Sequence, residues 1–215
     1  MPRPKGAKSA GYDRRRAELL AAFRERLLAR NLAAPSLREL AAAGGVTIPT
    51  VRHYFGRRED LIVALLEDLG VQGEAHLAHA RDASAPFAES IERLVQSILT
   101  GLSMGLSEIH ALGLREGLRH DRLGPAYLSH VLEPTVLAIE ERLRQHQARG
   151  EMRPADTRVA ALSLIAPQIV AQIHQRELGG CGTRPLNAQS STREQIDAFL
   201  RAYAAEPGPP RAPEP

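Results

Sequence analysis

Residues 36–61 read SLRELAAAGGVTIPTVRHYFGRREDL, and the folding of this stretch decides how the rest of the chain is understood. Ser36-Leu37-Arg38-Glu39 has the S-x-x-E spacing of a capping box, in which hydroxyl and carboxylate satisfy each other's backbone amides at a helix start. A helix opening there turns Leu37, Leu40 and Ala41 inward. It stops at Gly44-Gly45, because glycine tolerates the left-handed backbone that a helix end needs. Val46 is the apolar residue of the turn. Thr47 then caps another helix, with Pro49 in its first turn, where a missing N–H costs nothing. Val51 and Phe55 face the core. Ile48, Pro49, Thr50, Arg52, His53 and Tyr54 are left near the outer face of a helix too short to be stable alone. Helix, tight turn, helix is the arrangement whose second helix enters a DNA major groove with its N-terminal residues against base edges.

The charge pattern around this stretch agrees with a polyanionic partner. Residues 1–58 carry 13 Lys+Arg and 4 Asp+Glu, a balance of +9, so the remainder carries 15 and 21, a balance of −6, within a net charge of +3. Phosphate neutralisation is the main sequence-independent source of nucleic-acid affinity, although a solvated basic surface would give the same count. The chain of 215 residues, 43% hydrophobic, holds one large or two small domains with a real core. A lone cysteine, Cys181, permits no internal disulfide and fits a reducing compartment. No run of about 18 apolar residues exists, and the polar, basic start lacks the apolar centre of a secretory signal. A soluble, cytoplasmic protein without a membrane partner is the expectation.

Outward from the central stretch, residues 1–12 hold too little apolar surface to order themselves and are expected as a flexible basic arm. Asp13 to Arg30 places Leu19, Leu20, Phe23 and Leu27 on one helical face. After Leu61 the pattern stays helical. A long segment, Glu59 to about Ala80, is interrupted by Gly70 and Gly73. Further helices are expected from Pro86 through Leu102, loosely over 101–124, and from Gly124 to Arg149 with a kink at Pro134. Another runs from Pro154 to Leu178 with Val159, Leu162, Ile165, Ile169, Val170 and Ile173 inward. The last is capped by Ser191-Thr192-Arg193-Glu194 and carries Ile196, Phe199, Leu200 and Tyr203. The tail 207–215 is Pro-rich and expected to be disordered. About nine helices, no alternating strand pattern and no internal repeat give an all-α fold.

The stretch Ser36 to Leu61 resembles the N-terminal signature of the tetracycline-repressor (TetR) family of transcriptional regulators, T-[ST]-x-x-[DE]-[IL]-A-x-x-A-G-V-S-x-x-T-[LV]-Y-x-[YH]-F-x-[SN]-K-x-[DE]-L. The departures are Ile48, where a basic residue often stands, Arg52, where an aromatic is frequent, and Arg57 in place of a small polar cap. The resemblance implies a helix-turn-helix domain over 13–58 and a larger helical effector-binding and dimerisation domain over 59–206. It further implies that Thr47, Ile48, Pro49, Thr50, Arg52 and His53 face the groove. Tyr54 and Arg58 would bind phosphate, and Ser36 and Arg38 are further DNA contacts. The partners implied are a palindromic double-stranded operator, a second copy of the chain and a small-molecule effector. The last two long helices would form the dimer interface, with Leu162, Ile165, Ile169, Ile173, Ile196, Phe199 and Leu200. Met104, Ile109, Leu112, Tyr127, Val131, Gln168 and Gln172 are candidates to line an effector pocket.

A rival reading is enzymatic. Gly101-Leu102-Ser103-Met104-Gly105 matches the G-x-S-x-G nucleophile elbow, but that elbow needs a strand before it, and none is expected. His76 and His79, with His110, His120, His130 and His174 elsewhere, lack the spacing of a metal site. No cofactor, metal or catalytic residue is expected, and the chain is read as a regulator released from its operator by a ligand, with a helical hydrolase or metal-dependent enzyme as the alternative.

Overall fold

The computed structural model describes residues 10–29 and 34–206. Most of the expected arm and all of the tail 207–215 lie outside these residues. The elements are α1 (Ala10–Leu28), α2 (Leu37–Ala43), α3 (Ile48–Phe55), α4 (Arg58–Gln72), α5 (Glu74–Arg81), α6 (Phe87–Gly101), α7 (Ser107–Gly117), α8 (Leu123–Tyr127), α9 (Glu133–Ala148), α10 (Thr157–Gln172), α11 (Gly180–Thr183) and α12 (Ala188–Tyr203). Short π-helical turns at Leu102–Leu106, Leu128–Leu132 and Ile173–Glu177 extend three of them. No strand occurs among the described residues, and the fold is all-α as expected.

The chain forms two compact units, one made of residues up to Gln72 together with Glu108–Val131, the other of Gly73–Ser107 and the residues from Leu132 onward. This division differs from an expected boundary after residue 58. Burial explains it for α4, whose Leu61, Ile62 and Leu65 are 0% exposed and complete the core begun by α1 to α3.

In the first unit, Leu19, Leu20, Phe23 and Leu27 of α1 meet Leu40 and Ala41 of α2 and Val51 and Phe55 of α3, all buried. Phe23 and Phe55 pack edge to face at 5.5 Å. The two turn glycines have different reasons to be glycine. Gly45 has a φ of 61°, the left-handed region. Gly44 is right-handed, but a Cβ there would lie 2.7 Å from Cε1 of Phe23. Farther along, α8 packs on α4, and the backbone carbonyl of His130 comes so near Gly70 that a Cβ would lie 2.6 Å away.

The expected long helix 59–80 divides at Gly73 into α4 and α5. The expected helix from Gly124 to Arg149 also divides. Pro134 stands in the first turn of α9, and the preceding turn loosens to π spacing, which accommodates a ring that would clash with the carbonyl four residues earlier.

In the second unit α9 packs against α5 and α10, and α12 against α6 and α10. Arg142 of α9, 2% exposed, binds this unit together. Its guanidinium donates to the carbonyls of Ala80 (2.8 Å), His79 (2.7 Å) and Ser90 (2.8 Å) and to Ser90 Oγ (2.6 Å). A buried charge is tolerable only with donors satisfied in this way. Two sequence expectations fail here. Val159 and Val170 are 57% and 63% exposed, while Ile165 and Ile169 are buried as expected, together with Ala160, Ala161, Leu164 and Gln168. Both of its faces are apolar, so periodicity alone could not choose the inner one. Likewise, Ser191 does not open the last helix. Asn187 does, four residues earlier, its side chain accepting the Ser190 amide at 3.0 Å.

Candidate nucleic-acid interface

The capping box at α2 is complete: Ser36 Oγ accepts from the Glu39 amide at 3.3 Å, and Glu39 Oε2 accepts from the Ser36 amide at 2.8 Å. These bonds to Ser36, and then Arg26, hold the Glu39 carboxyl below its ordinary pKa. Arg26 of α1 reaches Glu39 Oε1 at 2.6 Å, so the start of α2 is fixed to α1 as well. At α3, Thr47 Oγ1 accepts from the Thr50 amide at 3.3 Å and lies 2.9 Å from the Thr50 hydroxyl. Thr47 and Ser36 therefore build helix starts in addition to lying at the surface.

With Val51 and Phe55 pinned in the core, the other faces of α3 are turned out. Thr47, Pro49, Arg52 and His53 are exposed, and Ile48, Thr50 and Tyr54 are half-buried. Neither Arg38 nor Arg52 has a side-chain partner among the described residues. Tyr54 stacks on Tyr12 of α1 at 4.7 Å, and the edge of His53 meets the Tyr12 ring at 5.9 Å. Arg16 lies over the Phe55 ring at 5.0 Å. Tyr12 thus supports the outer face of α3 from a different helix, a role with no local signal in the sequence.

Arg58 is placed differently from a phosphate contact. Its Nε donates to the Pro35 carbonyl at 2.8 Å, and Nη1 and Nη2 form a fork on Glu116 of α7 at 2.8 and 3.0 Å. Only 21% of the Arg58 side chain and 7% of that of Glu116 are exposed. Burial alone would raise the Glu116 carboxyl, but Arg58 and then Arg115 outweigh it and the net displacement is downward. Beside this pair, Arg122 reaches Asp60 Oδ1 at 2.9 Å, and Asp60 Oδ2 accepts from the Arg57 amide at 3.0 Å. The sequence reading missed Glu116, Arg122 and Asp60, since 58 and 62 residues separate the paired arginines and carboxylates.

The folded helix-turn-helix can be set beside known proteins. Residues 89–205, more than half of the chain, match the family described as "AefR-like transcriptional repressor, C-terminal domain". The chain belongs to the TetR family of transcriptional regulators. Solved TetR structures share the fold of this TetR-family chain. A TetR transcription regulator from Haloarcula marismortui superposes with a TM-score of 0.68 at 14% identity, covering 89% of this chain and 99% of that one. The flavonoid-responsive regulator FrrA gives 0.65 at 20% identity, covering 93% and 100%. The fatty acid degradation regulator FadR from Bacillus halodurans gives 0.61 at 17% identity, covering 90% and 96%. No curated protein matches the chain in sequence.

The expected effector residues of this TetR-family chain fall in both units. Ile109, Leu112 and Tyr127 are buried in the first unit with half-buried Val131, whereas Gln168 and Gln172 belong to the second. Met104 is 81% exposed in a turn opened by Gly105 at φ 119°. Gln168 is buried against Gln195 of α12. His110 Nδ1 lies 2.7 Å from the Tyr127 hydroxyl, and burial lowers the His110 pKa to about 4. The expected dimer residues divide by burial. Ile165, Ile169, Ile196 and Phe199 are between 3% and 7% exposed and fill the chain's own core, while Leu162, Ile173 and Leu200 are half-buried.

The enzymatic alternative finds no support at Ser103, whose exposed hydroxyl is bonded to the Thr100 carbonyl at 2.7 Å within a helical turn. A hydroxyl, imidazole and carboxylate do line up elsewhere: Ser90 Oγ lies 2.8 Å from His146 Nε2, and His146 Nδ1 lies 2.6 Å from Glu151. Ser90 and His146 are 1% and 0% exposed, and Arg142 donates to the same hydroxyl. An acceptor oxygen enclosed in this way serves packing of α6 on α9 rather than attack on a substrate.

Proposed function

We infer that this TetR-family regulator binds a palindromic DNA operator as a homodimer in the cytoplasm and represses transcription until a small-molecule effector releases it. The observation that carries the reading is α3: a capped helix anchored through Val51 and Phe55, presenting Thr47, Pro49, Arg52 and His53 to solvent, with Arg52 free to fork onto a guanine edge. Arg38 at the front of α2 adds a second unpaired guanidinium.

A second copy is supported by the outer face of α10. Val159, Ser163, Ala166 and Val170 are exposed at spacings of four, three and four residues, a small-residue apolar stripe of the kind a helix pair closes. Two reading helices in a symmetric dimer would fall on half-sites about 34–36 Å apart. For the effector, the flavonoid-responsive and fatty-acid-linked relatives support a small organic molecule, bound better by dimers that do not fit DNA.

The test is binding of the full chain to its adjacent intergenic DNA across a salt series. Saturable binding that weakens steeply with salt and drops at least about tenfold in Arg52→Ala is expected, since a bidentate base contact is worth about 1–3 kcal/mol. Binding indifferent to salt, or unchanged in Arg52→Ala, would overturn the reading.

A further inference from the structure

The turn between α3 and α4 encloses a hollow of about 650 Å³ lined by Leu37, Arg52, Gly56, Arg57, Arg58 and Glu59. Three arginines face one acid there, but they are not equivalent. Arg58 is withdrawn, its Nε and both Nη atoms held by Pro35 and Glu116. Moving it to another anion would leave a Glu116 side chain only 7% exposed with Arg115 alone, at 3.5 Å. Arg52 and Arg57 are exposed, and neither guanidinium makes a hydrogen bond or ion pair among the described residues, although the Arg57 charge helps to lower the Asp60 carboxyl.

The backbone under Arg57 is nevertheless fixed with some care. Gly56 reverses the chain at φ 78°, and a Cβ there would meet Asp60 Oδ2 at 2.9 Å. That same oxygen accepts the Arg57 amide, and Arg122 holds the other oxygen of Asp60. The turn is therefore rigid where it carries Arg57, while the guanidinium itself is left without a bond inside the protein. An exposed guanidinium at a concavity, carried on a fixed backbone and without a hydrogen bond inside the protein, suits a tetrahedral oxyanion, to which it can donate two parallel N–H bonds.

The geometry points to Arg57, with Arg52 lining the same hollow, as the grip on a DNA backbone phosphate, and assigns Arg58 to the internal brace instead. This rests on the DNA-binding reading above. In that frame the phosphate contact is displaced by one residue, from the first position of α4 to the residue before it. The brace on Glu116 is the cause. Arg52 then spans from the phosphate toward the base edges, so one turn of the chain both positions the duplex and reads it.

The experiment compares salt dependence of binding by the full-length protein to a random-sequence duplex of about 30 bp, by fluorescence anisotropy over about 50–300 mM KCl. Each phosphate contact contributes about 0.9 to the slope of log K against log salt. Arg57→Ala should lower the slope magnitude by about 0.9 per subunit and weaken all sequences alike, and Arg57→Lys should restore most of it. Arg119→Ala, removing the same charge from an exposed site in the α7–α8 turn, should leave the slope within error. Arg58→Met with Glu116→Met removes the brace without changing net charge, and it too should keep the slope, with folding verified by circular dichroism. A slope unchanged in Arg57→Ala, or one lowered by about 0.9 per subunit in the double variant, overturns the assignment. Wild-type protein that binds no duplex at any salt would overturn the DNA-binding reading and this assignment together. Wild type that binds and loses affinity in Arg52→Ala, but not in Arg57→Ala, would overturn only the assignment.

Discussion

Replacing Glu116 by alanine isolates the contact between α4 and α7 within the first unit. The wild-type fork consists of two charge-assisted bonds at 2.8 and 3.0 Å, between side chains 21% and 7% exposed. Breaking a fully buried pair costs about 3–5 kcal/mol. Here Arg58 keeps its bond to Pro35 and about a fifth of its surface in water, so a loss of about 2 kcal/mol is expected. For a chain of this length that is about 4–8 °C in Tm. Arg58→Met combined with Glu116→Met should cost less than about 1 kcal/mol, because neither charge of the fork is left without the other and Arg115, which also loses Glu116, is 33% exposed. A double-mutant cycle by urea denaturation measures the coupling, which should be on the order of 1–3 kcal/mol at neutral pH. The pH dependence has a definite sign. The Glu116 carboxyl is held below its ordinary value of 4.5, so the pair's contribution is complete above that pH and is lost as pH falls through the lowered value. Coupling below about 0.5 kcal/mol at neutral pH, or coupling that persists undiminished to about pH 3, would refute the reasoning.

The turn glycines should fail for different reasons. Gly44→Ala places a methyl 2.7 Å from Phe23 and should cost about 1–3 kcal/mol, partly recovered by Phe23→Leu in a thermal melt. Gly45→Ala has open space but a φ of 61°, so its loss of about 1–2 kcal/mol should not respond to Phe23→Leu. Burial holds His110 near a pKa of about 4, below the ordinary 6.5, so the unfolded chain binds the extra proton between these values. Stability should fall by on the order of 3 kcal/mol from pH 7 to 4 through this group, and His110→Leu should flatten that part of the pH profile of Tm. Val170→Asp, on the exposed face of α10, should shift sedimentation from dimer to monomer at micromolar concentration while leaving circular dichroism unchanged. A dimer that persists would exclude this stripe as the interface.

The sequence by itself determined the local architecture of the reading head. Ser36 with Glu39, Gly44-Gly45, and Thr47 with Pro49 act on backbone groups three or four residues away, and each of these helix starts and the stop falls where the spacing required. The core faces of α1, α2 and α3 were legible too, apart from half-buried Leu37, since polar and apolar residues alternate there at helical period. Legibility ended where local signals competed or long-range contacts chose. Ser191-x-x-Glu194 has the spacing of a cap, yet Asn187 captures the helix start. On α10 apolar residues surround the helix, and only packing against α9 and α12 turned Val159 and Val170 outward while Ile165 and Ile169 stayed inward. Tertiary structure alone also decided that α4 and residues 108–131 fold with the reading head, that Tyr12 backs Tyr54, and that Arg58 pairs inward and leaves Arg57 free. An arginine's charge is written in the sequence. Its partner is chosen by which carboxylate the fold brings within 3 Å, and the one it brings to Arg58 lies 58 residues away.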